Sequence, residues 1–265
     1  MQRLILEKKP LVEAVFELQW ELVKEEDPSL EVDPDYPILI GRMYDRLSNE
    51  YPARVKLESA NIPVDFAGHI AQHQFRKTAY KWPLVQLGPG IMTVNDTEDY
   101  RWEDFRERIT SVVRALFESY PQAEDGSNRL NVSLSRLRYV NRIFFDYKKD
   151  RILDFLREQM QIGVDLPARL FQDSGVSDSP EHFNLDFGFS SSRPPGAIAL
   201  RFSRGQVDGQ DVVLWNTQVT SVKSDAPSGL EAIAAWVDEA YHLTHDWFYK
   251  IIEGKLLESF EPWKP

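Results

Sequence analysis

Two stretches of the chain, one near each end, have the most regular spacing of apolar residues. From Leu11 to Val23 apolar and polar residues alternate, which predicts a half-buried β-strand with an acidic outer face. From Ser228 to about Phe260 apolar residues recur at steps of three and four, which predicts one long amphipathic helix. Ser228 and Glu231 have the spacing of a capping box, so we expect the helix to begin there.

The segments between these two stretches show the same two periodicities. Helices are predicted over 36–51, 100–120 and 152–160. Strands are predicted over 66–79, 84–95, 130–147, 183–190, 197–204 and 212–221. Asp208-Gly209 predicts a hairpin between the last two strands, and Gly88-Pro89-Gly90 predicts a bend or bulge within the strand over 84–95.

The strand predicted over 130–147 changes phase along its length. The apolar residues before the change are Leu130, Val132 and Leu134, and those of the opposite parity after it are Leu137, Tyr139, Ile143 and Phe145. One extra residue exchanges the two faces of a strand, so we predict a β-bulge near Ser135-Arg136. Beyond that point, Arg136, Arg138 and Arg142 would share one face.

The order of these elements predicts an α+β fold. We expect a mainly antiparallel sheet built from two similar strand-helix-strand-strand-helix halves, covered by helices that include the long C-terminal one. The halves would cover about 1–122 and 129–265, on either side of a polar segment over 123–128 that contains a glycine. The chain is expected to form a single domain over 1–265. The duplication is inferred from the order of the elements alone, because the sequence shows no residue-level repeat.

Composition narrows the classes of partner and the cellular compartment. The chain has 265 residues, of which 42% are hydrophobic, enough for a sizeable core. The formal net charge of −11 weighs against duplex nucleic acid or an anionic membrane as a partner. The chain contains no cysteine, which excludes disulfides, zinc–thiolate sites and thiol nucleophiles. With neither the apolar run of a signal peptide at its start nor that of a membrane span, it is expected to be cytoplasmic.

Two pairs of histidines have spacings that occur in metal sites. His242 follows Glu239 by three residues, but di-iron bundles need this motif on two helices, and the helical pattern places His242 and His245 outside the apolar face. His69 and His73 are four residues apart, but their surroundings predict a strand, on which they would be separated by about 13 Å. We therefore expect no metal and no cofactor.

Arg136, Arg138 and Arg142 are the candidate ligand-binding residues. Guanidinium groups bind carboxylates and phosphates through paired hydrogen bonds, so this row predicts an anion site in a cleft between the sheet and the elements that cover it. Carboxylates from the covering helices could neutralise the row instead, because buried charges are normally paired. No catalytic residues are predicted, since the chain has neither a phosphate-binding loop nor a glycine-framed serine elbow.

Several blocks of sequence resemble those of a known family. They are PLVEAVFEL from Pro10, PLVQLG from Pro83 with Val94-Asn95, the helix of Trp102, Phe105 and Ile109, and LRYVNRI from Leu137. Their order and spacing are similar to those of a sporadically distributed bacterial family of uncharacterised proteins, over most of the chain. The resemblance implies a bacterial cytosolic protein with one fold across the family, and it implies no activity.

These observations lead to three expectations about function. The first is a non-enzymatic binding or regulatory protein with a groove or pocket for a small anionic ligand or a protein partner. The second is an enzyme that uses scattered carboxylate, histidine and arginine residues; invariant polar residues in one cleft would favour it. The third is an accessory component of a bacterial defence or toxin-neutralising locus, suggested by the family's sporadic occurrence. The partner would be a small ligand, another protein or a second copy in a homodimer, and neither duplex nucleic acid nor a membrane.

Overall fold

A computed structural model describes residues 5–25, 30–79, 81–97, 99–122 and 129–263. The polar segment predicted over 123–128 lies outside these residues. The described chain has the predicted α+β fold, with a large antiparallel sheet of nine strands and helices packed on it. No helix in these ranges has both the length and the apolarity needed to cross a bilayer.

The helices and strands are numbered along the chain. The strands are β1 Ile5–Leu6, β2 Leu11–Trp20, β3 Val23–Lys24, β4 Glu31–Val32, β5 Ala53–Lys56, β6 His73–Arg76, β7 Leu84–Gly88, β8 Ile91–Asp96, β9 Val132–Phe144, β10 Asn184–Ser192, β11 Pro195–Val207, β12 Gln210–Val222 and β13 Pro262–Trp263. The α-helices are α1 Tyr36–Leu47, α2 Trp102–Ser119, α3 Ile152–Met160, α4 Leu230–Ile252 and α5 Lys255–Ser259.

The order of strands in the main sheet is β10-β11-β12-β9-β2-β8-β7-β6-β5. The first strand of each predicted half, β2 or β9, lies at the centre of the sheet, and these two strands pair with each other. On its other side, each central strand pairs with the strand of its own half that comes last in the main sheet, β8 or β12. This arrangement suits two similar halves, while the duplication and the single domain stay predictions.

The helices pack on one face of the sheet. Ala14, Phe16, Leu18 and Trp20 of β2 are buried in one apolar cluster with residues of α1, α2 and α4. A second cluster joins α3, α5 and the end of α4 to Trp215 of β12 and its neighbours. Side chains alternate between the two faces of a strand, so the residues between these buried ones point to the opposite face of the sheet.

The C-terminal helix is shorter than predicted at both ends. Helix α4 begins after Gly229, which has a φ of 86°, and no side chain caps it. The capping box predicted at Ser228 and Glu231 is therefore wrong. At the other end Gly254 has a φ of 102°, and the separate helix α5 follows it. Glycine adopts positive φ readily, so these two glycines interrupt the helical pattern.

The region over 53–96 contains four strands where two were predicted. The strand expected over 66–79 is reduced to β6, because residues 64–66 form a 3-10 turn and His69 has a φ of 57°. Gly88-Pro89-Gly90 is the turn of a hairpin between β7 and β8, with Gly90 at a φ of 73°, and is not a bulge in one strand. Strand β5 forms the edge of the sheet.

The phase change in β9 occurs earlier than predicted. Gln19 lies opposite Leu134 and Trp20 lies opposite Val132, so Ser133 is the extra residue. From Leu134 onward, β9 pairs with β12 in a regular register. The predicted bulge at Ser135-Arg136 is therefore displaced by two residues, and Leu134 shares its face with the arginine row.

Candidate ligand-binding site

A cavity of about 660 Å³ lies on the helix side of the sheet, beside the pairing of β2 with β9. The sheet contributes Tyr139 and Asn141 of β9 and Thr217 of β12, and α4 contributes side chains from Tyr241 to Tyr249. The cavity thus takes residues from both predicted halves. Its volume is typical of pockets for small molecules.

Two short strands from opposite ends of the described chain close one side of the cavity. In this ribbon Ile5 of β1 lies opposite Trp263 of β13, and both residues line the cavity. The amide of Lys8 donates a hydrogen bond to the carbonyl oxygen of Phe260 at 3.2 Å, which extends the pairing. The side of the cavity therefore depends on contact between residues that are distant in sequence.

Aromatic rings form much of the wall. Trp102, at the start of α2, stacks on Tyr241 with 3.7 Å between ring centroids and 3° between planes. The His245 ring lies 5.1 Å from that of Tyr241 and 4.8 Å from that of Tyr249. Residues four apart on a helix share a face, so these three residues form a continuous row along α4. His245 thus lines the cavity, although its helical position predicted a place outside the apolar face.

The polar groups in the cavity include a pair of tyrosine hydroxyls. The hydroxyls of Tyr100 and Tyr139 are 2.9 Å apart and share one hydrogen bond. Burial raises the pKa of both side chains, so both are neutral near pH 7. One hydroxyl hydrogen is used within the pair. The Thr217 hydroxyl is also buried and lacks a hydrogen-bond partner among the described residues.

The charged residues that line the cavity are of both signs, with Glu7 and Glu103 as well as the cations Lys9 and Arg101. The ammonium group of Lys9 donates a hydrogen bond to the carbonyl oxygen of Tyr100 at 2.7 Å. Burial and then the charge of Arg101 lower the pKa of Lys9, against smaller opposing effects of Asp99 and Asp96. The same two cations also line an adjacent polar cavity of about 500 Å³. An anionic group placed between Lys9 and Arg101 would be attracted by both.

The arginine row predicted from the sequence lies on the opposite face of the sheet. Arg136 and Arg138 flank Leu137, which is fully buried on the helix side, so their side chains point away from the helices. The row therefore does not line a cleft between the sheet and its covering helices. Arg142 has the same parity, and its guanidinium lies 5.4 Å from the centre of the Phe144 ring.

Carboxylates of the neighbouring strand pair with two members of the row. Arg136 donates hydrogen bonds to both carboxylate oxygens of Glu17, at 3.1 and 3.2 Å. Arg138 lies 4.0 Å from a carboxylate oxygen of Glu13. Sequence reasoning considered helix-borne partners and missed these strand-borne ones, although the acidic face of β2 was visible in the alternation. A ligand-binding role for Arg136, Arg138 and Arg142 stays a prediction.

The remaining histidine candidates have structural contacts. His73 shares a hydrogen bond with the Tyr36 hydroxyl at 2.9 Å, and His69 donates one to the carbonyl oxygen of Trp20 at 3.1 Å. Glu239 binds the guanidinium of Arg193 at 2.7 Å. Within the described ranges, no three histidine, cysteine, aspartate or glutamate side chains are placed to hold a metal ion.

Periodicity in the sequence did not identify the residues of the cavity as a site. Tyr100, Trp102, Tyr241 and Tyr249 are aromatic residues with a polar group, but so are Trp20, Tyr36, Tyr120 and Trp236 of the core, so residue type alone does not mark the cavity. Tyrosine and tryptophan are common where an apolar wall must also offer hydrogen bonds. Only the fold shows that they meet.

Comparison with known proteins gives no relative from which a function could be transferred. No family model matches the chain, and no curated protein matches it. The fold and the cavity therefore define this chain as an α+β protein with a preformed pocket, and the functional argument depends on the pocket itself.

Proposed function

We propose that the protein is a non-enzymatic binding protein for a small molecule with a flat apolar body and an acidic group. The observation that carries this proposal is the cavity between the two halves, in which an aromatic wall adjoins the cations Lys9 and Arg101. This chemistry agrees with the anionic ligand expected from the sequence. The site differs from the predicted arginine row.

The aromatic wall favours a flat ligand. The row of Tyr241, His245 and Tyr249 follows one face of α4, and Trp102 is already stacked against its first member. Rings of this kind bind apolar surface and stack on planar groups. An aromatic or conjugated molecule would therefore replace water against this wall with favourable contacts.

The end of the cavity at Lys9 and Arg101 favours an acid. The lowered pKa of Lys9 reflects burial and the nearby charge of Arg101. A carboxylate or phosphate between the two cations would offset both effects. We therefore expect the ligand to bind with its acidic group at this end and to raise the pKa of Lys9.

The hydroxyl groups favour binding over proton transfer. Tyr100 and Tyr139 have raised pKa values because they are buried, so they remain protonated near neutral pH. They can donate a hydrogen bond to a ligand oxygen, and they cannot act there as general bases. Together with Thr217 they would orient the ligand along the floor of the cavity.

A matched pair of probes tests the proposal. We expect 2-naphthoate and related aryl carboxylates to raise the melting temperature and to change tryptophan fluorescence, and 2-naphthamide to bind about tenfold more weakly or worse. The variant Lys9→Met should reduce this preference for the acid, whereas Tyr241→Ala should weaken both probes. Lys56→Met, an edge substitution far from the cavity, is the control. The proposal is contradicted if no aryl acid binds, or if Lys9→Met binds acid and amide in the wild-type ratio.

A further inference from the structure

The two edges of the nine-stranded sheet are built differently. Strand β5 at one edge has four residues, follows Pro52 and carries the basic residues Arg54 and Lys56. Strand β10 at the other edge has nine residues and contains neither proline nor lysine. Short length, proline and lysine are the devices that prevent an edge strand from pairing with another chain. Only the β5 edge has them.

The outer side of β10 is available for pairing. The strand pairs with β11 in an unbroken register from Asn184 to Ser192, without a bulge that would turn its edge away. Among the described residues, no backbone hydrogen bond joins β10 to any other segment. Its outward N–H and C=O groups therefore match those of an incoming strand.

We propose that β10 pairs with β10 of a second copy of this chain, antiparallel about a two-fold axis at Gly188. This pairing would join the two nine-stranded sheets into one continuous sheet. Gly188 is the central residue of the strand, so the register uses its whole length. A two-fold interface of this kind closes with two copies and does not extend into a fibre.

The sequence of β10 is complementary to itself in this register. Phe187 of each copy lies opposite Phe189 of the other, on the helix side, where aromatic cross-strand pairs stabilise a sheet. Phe189 is 50% exposed in one copy, and its ring meets that of Trp247 at 5.6 Å. A second copy would cover the exposed half of this ring.

The charges of the strand also permit the pairing. Asp186 is its one charged residue, and its position lies opposite the neutral Ser190 of the second copy. Arg201 of β11 already binds Asp186 at 2.7 Å, which neutralises it within each copy. No like charges are therefore opposed across the axis. The net charge of −11 on each copy opposes association at long range, so we expect added salt to strengthen the dimer.

Gly188 allows a direct test, because in this register the residue lies opposite its own copy. A Cβ atom added there meets no atom within 4 Å in one copy, so the monomer tolerates a side chain. Directly opposed Cβ atoms in an antiparallel pair are about 5 Å apart, within the range of charge interaction. Gly188→Lys and Gly188→Glu each oppose like charges, whereas a mixture of the two opposes unlike charges.

Sedimentation equilibrium measures the outcome. We expect the wild type and the control Gly188→Ala to dimerise, and each charged variant to dimerise at least about tenfold more weakly. An equimolar mixture of the charged variants should form a heterodimer in preference to either homodimer. Melting temperatures of the charged variants equal to that of Gly188→Ala at low concentration would show that both charged variants remain folded.

Three results would overturn the proposal. A wild type that stays monomeric up to its solubility limit would show that the edge does not pair with itself, and would leave a strand from another protein as its partner. Charged variants that dimerise like the wild type would place the interface elsewhere. A mixture that does not form the heterodimer would exclude the register centred on Gly188. None of these results bears on the ligand cavity.

Discussion

The two faces of the central strand pair differ in how they are stabilised. On the helix side Phe16 lies opposite Leu137, both fully buried, with the ring of Trp236 from α4 at 6.4 Å from that of Phe16. In the adjacent pair of the same ladder, Glu17 lies opposite Arg136 on the other face. Adjacent residues of the same two strands thus contribute to an apolar core and to an ion pair.

The difference follows from which face the helices cover. Beneath the helices, charged groups would be desolvated, so mainly apolar residues fill the interface. On the other face water can reach part of each charge: the side chain of Arg136 is 30% exposed and that of Glu17 is 14% exposed. A half-buried ion pair is tolerated there because the carboxylate of Glu17 accepts hydrogen bonds from one terminal nitrogen of Arg136.

Removing a large side chain from the helix side should have the largest effect on stability. Phe16→Ala leaves a cavity in a closely packed core, and we expect it to lower the free energy of unfolding by about 3–5 kcal/mol. Urea denaturation measures this loss. Phe16→Leu keeps most of the volume and should cost about 1 kcal/mol. A loss in Phe16→Ala no larger than in Phe16→Leu would contradict the packing described for this face.

Breaking the ion pair on the other face should have a smaller effect. We expect Glu17→Gln and Arg136→Gln each to cost about 1–2 kcal/mol, with a coupling energy of about 1 kcal/mol in a double-mutant cycle. The more exposed pair of Arg46 and Glu118, at 2.8 Å, is the control and should show less coupling.

The same cycle tests the predicted role of the arginine row. An Arg136→Gln protein with wild-type stability and no coupling to Glu17 would argue against a structural ion pair. If that variant also lost a bound anion, the row would gain support as a ligand site. If the Glu17 and Arg136 variants both lose stability and ligand binding is unchanged, the result would favour neutralisation of the arginine row by carboxylates of the protein itself.

Titration of His73 should produce the smallest effect. Burial, and then the charges of Arg54 and Lys56, lower the pKa of His73, so folding favours its neutral ring. This stabilisation is fully present above the unfolded value of about 6.5, and it is lost as the pH falls through the lower folded pKa. The wild type should therefore lose more stability than His73→Gln between about pH 7 and pH 5.

The comparison with His73→Gln isolates this group. Glutamine can retain a hydrogen bond to the Tyr36 hydroxyl, and the titration of other residues cancels in the difference between the two proteins. Asp96, whose pKa is raised chiefly by burial, changes stability in the opposite direction as the pH rises, and it does so equally in both. Parallel pH profiles of unfolding free energy for the two proteins would exclude the contribution of His73.

Local periodicity determined much of the secondary structure. The alternation over 11–23 predicted β2, the helical spacing predicted α1, α2 and the greater part of α4, and Asp208-Gly209 predicted the hairpin between β11 and β12. These features follow from the repeat of about 2 residues in a strand and 3.6 in a helix, which are properties of the local backbone. Together they were sufficient for the α+β class.

Errors arose where a few residues outweighed the periodicity. Gly229 and Gly254 end α4 inside a longer apolar pattern, and the positive φ of His69 ends a strand pattern that continues in the sequence. The displaced bulge in β9 depends on its register with β2, which is a relation between two strands. A pattern within one strand can show that a phase change occurs, but it cannot place the extra residue.

The tertiary structure alone decided which side chains meet. Glu17 and Arg136 are 119 positions apart in the sequence, and their ion pair depends on the register of the two central strands. The cavity brings together Trp263, the segment before β2, the start of α2 and one face of α4, through the β1–β13 ribbon and the packing of the helices. Composition and spacing identify residues that can bind an anion or an aromatic ring. Their assembly into a site depends on long-range strand pairing, which no local pattern encodes.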